Sequence, residues 1–396
     1  MPTGISNSEL INKAAITSGS FTGAVGLSAT EADRFIDYVV DQSVLLKSAR
    51  VERMNNATKK IDKLGIGDRV LKPAVAVTDP GETVSITVNQ IMLRAQEMIA
   101  VARISDDTLE DNIEGDAFVD HLMRMIAAKV SNDLEIAYTF GNKRDSAVEI
   151  DDLFDGWLKL ARAGHILDAT QDQDRYLSIA KLSKVFKTLP NKYKINAAAM
   201  RYIASPNLIQ DYVDLLGARP TIGGDAALRG MAPLQFGDTP FTKMGLMPEN
   251  LPCPTGIKTA LSADSAAGDQ NFKVDSVDGL AIGGRIALGD QDSASYEVLT
   301  ISAVGTPGAG GTGVSTAEVA KYVHKAVDEV NLVDEDATPL LFTHALNLIV
   351  GIHRDIRVET QRWARLRATD FVLTLRSDVQ LENPDAVVVY DYLKVR

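Results

Sequence analysis

The sequence predicts an α+β protein with two appendages that cannot pack alone and a small inserted β-rich domain. Three observations predict this. Helical and strand periodicities are mixed instead of alternating regularly as in a parallel-sheet fold. An unusually long apolar helix pattern runs through Phe118–Tyr138. From Pro254 to Glu329 the composition shifts, with 11 of the chain's 29 glycines in that stretch. At 396 residues the chain has room for roughly two to four units of about 100–200 residues each. Its 45% hydrophobic and 24% charged content is ordinary for a globular core.

Residues 1–28 are rich in Ser, Thr, Gly and Asn, which predicts an arm ordered by a neighbour or not at all. Ser28 and Glu31 then have capping-box spacing, and Phe35, Ile36, Val39, Val40 and Val44 form a helical apolar stripe. From Arg69 to Met92 the period becomes two. Val75 and Val77 lead to the turn Asp79-Pro80-Gly81-Glu82, and Val84, Ile86 and Val88 alternate with polar residues. This predicts a β-hairpin, and a lone hairpin is marginally stable in water, so another subunit is its natural support. Phe118, Leu122, Ile126, Val130, Leu134 and Tyr138 recur every fourth residue. They predict a helix of about 25 residues, roughly 38 Å long, with Gly141 as its stop.

From Asp151 to Pro252, helical stretches at Leu153–Ala163, Ser178–Leu189 and Leu208–Leu216 alternate with apolar runs such as Ala197–Ala204. Within the glycine-rich insert, strands are expected at Asn271–Val277, Arg285–Gly289 and Tyr296–Val304. The last stretch, Ile349–Val395, reads as long strands, with Phe371, Leu373 and Leu375 on one face, an Asn383-Pro384-Asp385 turn, and Ala386–Tyr390 returning.

Several function classes lose support. Forty-one Lys and Arg against 53 Asp and Glu give a net charge of −12, the wrong sign for coating nucleic acid. One cysteine, Cys253, excludes an internal disulfide and a Cys-rich zinc cluster. Flanked by Pro252 and Pro254, it reads as a quiet, partly buried thiol. The amino terminus lacks the basic-then-apolar pattern of a secretory signal, and no run of about 18 apolar residues could span a bilayer. No membrane partner and an intracellularly made, soluble chain are therefore expected. The histidines His121, His165, His324, His344 and His353 show no metal-ligand spacing. Asp290-Gln291-Asp292 hints at a calcium loop, but Ser295 stands where a glycine is needed. No cofactor, metal or catalytic group is assigned.

The strongest competing motif is the glycine loop 305–313. Gly308, Gly310 and Gly313 spell G-x-G-x-x-G after a strand-like run, with Asp328 downstream, as in dinucleotide-binding enzymes. Read as a phosphate loop from Gly305 and Gly310, it has Gly311 where lysine is required. The preceding run alternates with Glu297, Thr300 and Ser302, unlike a buried parallel strand, so a hairpin loop is the plainer reading. Arg354, Arg357, Arg362, Arg365 and Arg367 are interleaved with Asp355 and Glu359. This suits an interfacial strand face with ion pairs better than a nucleic-acid groove, although an accessory nucleic-acid-binding protein stays open.

The order of these elements resembles the major capsid protein of tailed bacteriophages, the Hong Kong 97 fold. The residues that carry the resemblance are NLIVGIHRDIRVETQRWARLRATDFVLTLRSDVQLENPDAVVVYDY (Asn347–Tyr392), MIAVARISDDTLEDN (Met98–Asn112) ahead of the long helix, and Leu234–Pro252 with PLQFGDTPFTKMGLMP (Pro233–Pro248). It covers most of 27–252 and 338–395. It implies an amino-terminal arm and helix (1–66), an extended loop (67–103), a peripheral domain with a spine helix (104–149 and 354–396) and an axial domain (150–253 and 335–353). Residues 254–334 have no counterpart in the basic fold and are expected to form the inserted β-rich domain.

The implied function is a structural shell protein, not an enzyme. It assembles through hexamers and pentamers into an icosahedral head that encloses double-stranded DNA without reading its sequence. Partners would be copies of itself, a separate scaffolding protein, a portal and a decoration protein, with assembly in the host cytoplasm. The expected subunit-interface residues are Phe35 and Val39 on the first helix, Asp79, Pro80, Gly81 and Glu82 at the loop tip, and Arg362, Arg365 and Arg367 on the Arg-bearing strand. Lys72 and Asn383 are the residue types of the cross-link found in some such proteins, but nothing aligns them with that chemistry. Within the insert, residues 254–329 carry five Lys and Arg against ten Asp and Glu, and the insert is expected to face outward, contacting neighbours or a decoration protein.

Overall fold

Alternation of buried and exposed side chains sets the first of two units, built from Val51–Ser131 and Ile349–Glu382. The structure, a computed structural model, describes residues 47–66, 86–105, 117–144, 149–219, 234–306, 312–353 and 357–396, with Leu45 and Gly230. The unit's main sheet has β1 (Arg50–Met54), β15 (Leu348–His353), β17 (Ala368–Leu381) and β16 (Arg357–Trp363) in that order. Strand β4 (Gln96–Ser105) lies along β17 in an unbroken register from Ser105↔Ala368 to Gln96↔Ser377. Phe371, Leu373 and Leu375 turn inward and are buried, as the period-two pattern requires.

A two-stranded ribbon completes this unit. Strand β2 (Thr58–Ile66) pairs with β3 (Ile86–Arg94) over nine positions, from Thr58↔Arg94 to Ile66↔Ile86. Val88 pairs with Leu64, while Val75, Val77, Val84 and the turn 79–82 of the expected hairpin lie outside the described residues. The first strand, TKKIDKLGI, is lysine-rich and has little apolar alternation, so its pattern did not read as a strand. The ribbon base is fixed by Met54, Leu93 and Ile349, with Ile61 and Ile91 packed around them. Gly351 makes this possible. A Cβ there would stand 2.8 Å from the Met54 sulfur and 3.0 Å from Leu93 Cδ1.

The second unit takes Ser43–Arg50, Asn132–Leu348 and Asn383–Arg396. It receives the carboxy-terminal turns of α1 (Ala117–Phe140), a 24-residue helix. Here Leu134, Ala137 and Tyr138 are buried, with the Tyr138 ring 5.4 Å from Phe154 and 6.1 Å from Trp157. The helix stops at Gly141, where the Gly156 amide donates to the Gly141 carbonyl at 2.7 Å. A Cβ on Gly156 would sit 2.6 Å from the Gly141 nitrogen, so the close approach requires glycine. Helix α2 (Trp157–Arg162) follows, then β5 (His165–Asp168), α3 (Ile179–Thr188), β6 (Met200–Ala204) and α4 (Pro206–Gly217). Ser178 and Ser205 cap α3 and α4 by accepting from the Lys181 and Leu208 amides.

The unit's sheet is organised by β14 (Glu329–His344), 16 residues long. Its second half pairs with β6 on one side and β18 (Val387–Leu393) on the other. Strand β5 runs parallel to β18. Strand β8 (Thr239–Lys243) runs parallel to β6 and carries the short β7 (Gln235–Phe236). Leu340, Phe342, Tyr202, Val388 and Tyr390 form one core with Leu182, Val185, Leu208, Ile209 and Tyr212 from the helices. Tyr202 stacks on Phe342 at 4.5 Å between centroids. Each such side chain contributes roughly 1.5–3 kcal/mol on burial.

The glycine-rich stretch forms a small antiparallel barrel on the first half of β14. Around it run β9 (Leu251–Ala260), β14, β11 (Arg285–Leu288), β12 (Glu297–Val304), β13 (Thr312–Thr316) and β10 (Asn271–Val274). The ring closes where Leu261 bridges Val274 and the Ser262 amide donates to Lys273. Phe272, Val274, Ile286, Leu288, Leu299, Ile301, Val314 and Val330 fill it as a separate core. Both junctions with the body lie inside strands: β9 runs through Pro254 and β14 through Asp336. A composition change marks new turn content here, not a break in the backbone.

A buried cation adds a second attachment. Arg162, on α2, donates to Asp391 on β18 at 2.8 Å and to Asp292 of the barrel at 2.9 Å. Burial alone would lower its pKa, but the two carboxylates outweigh that and raise it. Tyr392 also donates to Gln291, and Asn142 to the Ser293 carbonyl. Removing one member of a buried ion pair strands the other charge. Arg162→Ala should therefore cost about 3 kcal/mol and release amide-exchange protection at Asp290–Tyr296 before that of the barrel core.

Acid should loosen this unit as well. Burial pushes the Asp172 carboxyl up, but hydrogen bonds from Tyr390 and Lys184 and the charge of Lys181 hold it below the usual range. Asp336 is likewise pushed up by burial, then lowered further by Lys394 and Arg175. Carboxyls depressed in the folded state contribute stability above their unfolded pKa, and that stability fades as pH falls. The thermal midpoint should drop below about pH 4, and Asp172→Asn should flatten that pH dependence.

Candidate assembly interface

Of the expected interface residues, Phe35, Val39, Asp79, Pro80, Gly81 and Glu82 lie outside the described residues, as does Lys72. Arg362 sits on β16 opposite Thr369. Arg365 and Arg367 are not on that strand, which corrects the expected Arg-bearing strand. They occupy the turn 364–367 between β16 and β17, and Arg367 has a left-handed φ of 46°. The charge pattern did not show where the strand ended. All three arginines are exposed.

The ribbon is held at its root. The Arg94 amide donates to Asp378 on β17 at 2.6 Å, and the other carboxylate oxygen accepts from the Val379 amide. Asp378 is buried, so it serves as a fixed acceptor where β3 leaves the sheet. Lys59 pairs with Glu52 at 2.7 Å, and Lys63 reaches the Glu382 carbonyl. Beyond the root, Lys60, Asp62, Asn89 and Gln90 are exposed.

Strand β4 supplies a surface that sequence reasoning missed. Glu97, Ile99, Val101 and Arg103 alternate outward, with Ile99 66% and Val101 57% exposed. Charge pairs close both ends of this apolar stripe. Glu97 accepts from Arg376 at 2.8 Å, and Arg103 makes a two-pronged contact with Asp370 at 2.6 and 2.8 Å. Trp363 Nε1 donates to the same carboxylate at 2.8 Å. Hydrogen bonding from Arg103, with Trp363 assisting, holds the Asp370 carboxyl below its usual range. An apolar centre with an ionic rim is the anatomy of a protein–protein contact. The alternation was present in QEMIAVARIS, but its exposed members are the apolar ones, so the outward direction could not be read from pattern alone.

Among the described residues, the chemical candidates do not assemble into a reactive site. Gly308 and Gly310 lie outside the described residues, and the strands flanking that segment, β12 and β13, are antiparallel, with Val304 opposite Val314. Gly313, which would lie at a helix start in a dinucleotide fold, is instead in a strand opposite Lys273. Cys253 is buried in β9, and burial pushes its thiol up to about 11. It is therefore a protonated, unreactive thiol at neutral pH. His324 is buried against Glu297 at 2.7 Å inside the barrel, and His344 accepts from the Leu346 amide. Asp292 is engaged by Arg162. Asn383 holds the Asp385 amide, and its own amide donates to Tyr193. Among the described residues, no group of three or more His, Cys, Asp or Glu side chains could hold a metal ion.

These features define a class first: an α+β protein that carries a two-stranded ribbon rooted at one end and, among the described residues, no side-chain cluster that could hold a metal ion. No protein-family profile matches the chain. A curated relative, "Putative prophage capsid protein YqbE" of Bacillus subtilis (strain 168), is 27% identical over 384 residues, spanning 96% of this chain and 97% of its own. A chain of the satellite phage P4 procapsid, a structure that includes the size determination (Sid) protein, superposes with a TM-score of 0.53. It covers 99% of both chains at 13% identity. The chain has the Hong Kong 97-type capsid fold.

The root of the ribbon gives a direct test. Asp378→Ala removes the acceptor for two amides in a buried setting, where an unmet donor costs about 1–3 kcal/mol. Amide exchange at Leu93–Gln96 should accelerate correspondingly, while protection within β18 stays as in the parent protein.

Proposed function

We propose that this chain is the major head protein of a tailed phage or prophage, and that its copies close an icosahedral shell around double-stranded DNA. Head-to-tail contacts between identical subunits generate rings, here hexamers and pentamers, and the rings tile the shell. In this reading the first unit supplies the peripheral domain, and the sheet around β14 supplies the axial domain. Residues 254–334 form a barrel carried outward on the axial domain. A separate scaffolding protein, a portal and a decoration protein would be the partners, with assembly in the host cytoplasm.

The single observation that carries the reading is the ribbon β2–β3. Two paired strands of nine residues are rooted through Leu93, Ile91 and Ile61, and their polar side chains beyond the root are exposed. A two-stranded ribbon has little stability in water, so it is built to lie on another molecule. In a shell of identical chains that molecule is a neighbouring copy. The apolar stripe Ile99–Val101, with its ionic rim, is a second contact surface. Interfaces of this obligate kind bury about 2,000 Å² or more.

Electron microscopy of the purified chain, alone and with a scaffolding partner, tests this. Rings or closed shells are expected. A monomer that persists at high concentration, with the ribbon protected from exchange by its own body, would overturn the reading.

A further inference from the structure

Charge is unevenly distributed in this acidic chain. From Arg175 to Gln210 there are seven Lys or Arg and no Asp or Glu, in a sequence whose net charge is −12. Two of the lysines are neutralised. Lys181 is buried and donates to Asp174 and to the Asp174 and Tyr176 carbonyls, and Lys184 pairs with Asp172 at 3.0 Å. Two more, with Arg201, are held by neutral groups. Lys194 donates to the Lys187 carbonyl and to Asn191 Oδ1, and lies 5.3 Å from the Phe186 ring centre. Lys192 sits 4.8 Å from the Tyr193 ring centre. Arg201 donates to the Ala198 and Met200 carbonyls. Lys187 is exposed on the last turn of α3. These cations are positioned without being neutralised.

An apolar centre lies among them. Ile195 is 90% exposed and Leu346 54% exposed. Asn383 ties their segments together: its amide donates to the Tyr193 hydroxyl, its backbone N–H donates to Asn347, and its carbonyl accepts from Asn347. His344 of β14 also pairs with Met200 of β6, so both segments meet at one end of the sheet. Asp238 and Asp385 stand on flanking turns, Asp238 beside Thr239, whose hydroxyl donates to the Ala197 carbonyl. They are fewer than the four cations.

We infer that this patch is a contact between copies, in which Lys187, Lys192, Lys194 and Arg201 surround Ile195 and Leu346 and receive a carboxylate-bearing surface of a second copy. The inference rests on the shell-forming reading. Charge complementarity selects the occupant. Each copy is strongly acidic outside this stretch, and residues 254–329 alone carry five Lys and Arg against ten Asp and Glu. A nucleic-acid backbone would meet the cations but offer nothing to cover Ile195 and Leu346, whereas the surface of a second copy supplies carboxylates and apolar side chains together.

The test uses the full chain carrying Lys187→Glu, Lys192→Glu and Lys194→Glu, with Ile195→Ser as a second variant that leaves the charges alone. Particle formation is followed by light scattering and microscopy at about 0.05, 0.15 and 0.5 M salt. The parent chain should assemble more slowly as salt rises. The triple variant should assemble about tenfold more slowly at the lowest salt and lose that salt dependence, with an unchanged circular dichroism spectrum and melting midpoint. Ile195→Ser should slow assembly at all three salt levels. Assembly of both variants at the parent rate would overturn the inference while leaving the shell reading intact. Loss of duplex-DNA retention with assembly unchanged would overturn it in favour of a phosphate-binding surface. A parent chain that forms no particle would remove the shell reading and this inference together.

Discussion

Strand β14 is the constraint on which the second unit depends. Its second half stands between β6 and β18 in the body, and its first half stands between β9 and β11 in the barrel. Two cores with no buried residue in common therefore share one backbone. Register accounts for the rigidity of this join. A slip by one residue would turn Leu340 and Phe342 out of the body and Val330 out of the barrel together. The two halves are fixed as a pair, and Arg162 adds a buried charge contact beside the shared strand.

The first unit follows a different logic. Its sheet is a self-sufficient element, with a continuous register between β4 and β17 and an inward row of Phe371, Leu373 and Leu375. The ribbon depends on that sheet at one end, through Leu93 packing under Gly351 and the Arg94 amide on Asp378.

Much of the fold was legible because its elements obey simple periods. The four-residue repeat of α1 and the inward row of β17 both follow from local sequence. The ribbon was only half visible. Ile86 and Val88 announce a strand, but their partner TKKIDKLGI hides its strand character behind lysines, and strand pairing is non-local. The β-rich character of the insert was readable from its turns, but its closure into a barrel through Leu261 and Val274 was not. The interface surfaces were the least legible. Exposed Ile99 and Val101 look like core residues in a string of letters, and only the folded sheet shows which face they occupy. Asp378 gave no signal, since one buried acceptor leaves no pattern.

The barrel enters and leaves the body through β9 and β14, which are adjacent antiparallel strands. Its two covalent junctions therefore sit side by side, about 5 Å apart. A guest with that geometry can be exchanged for any other structure ending in a paired hairpin without moving the host's remaining strands. Since the ring is closed, the guest also offers little free strand edge on which crowded copies could polymerise in the wrong order. Grafting at this single doorway would therefore leave the strands of the host sheet in place.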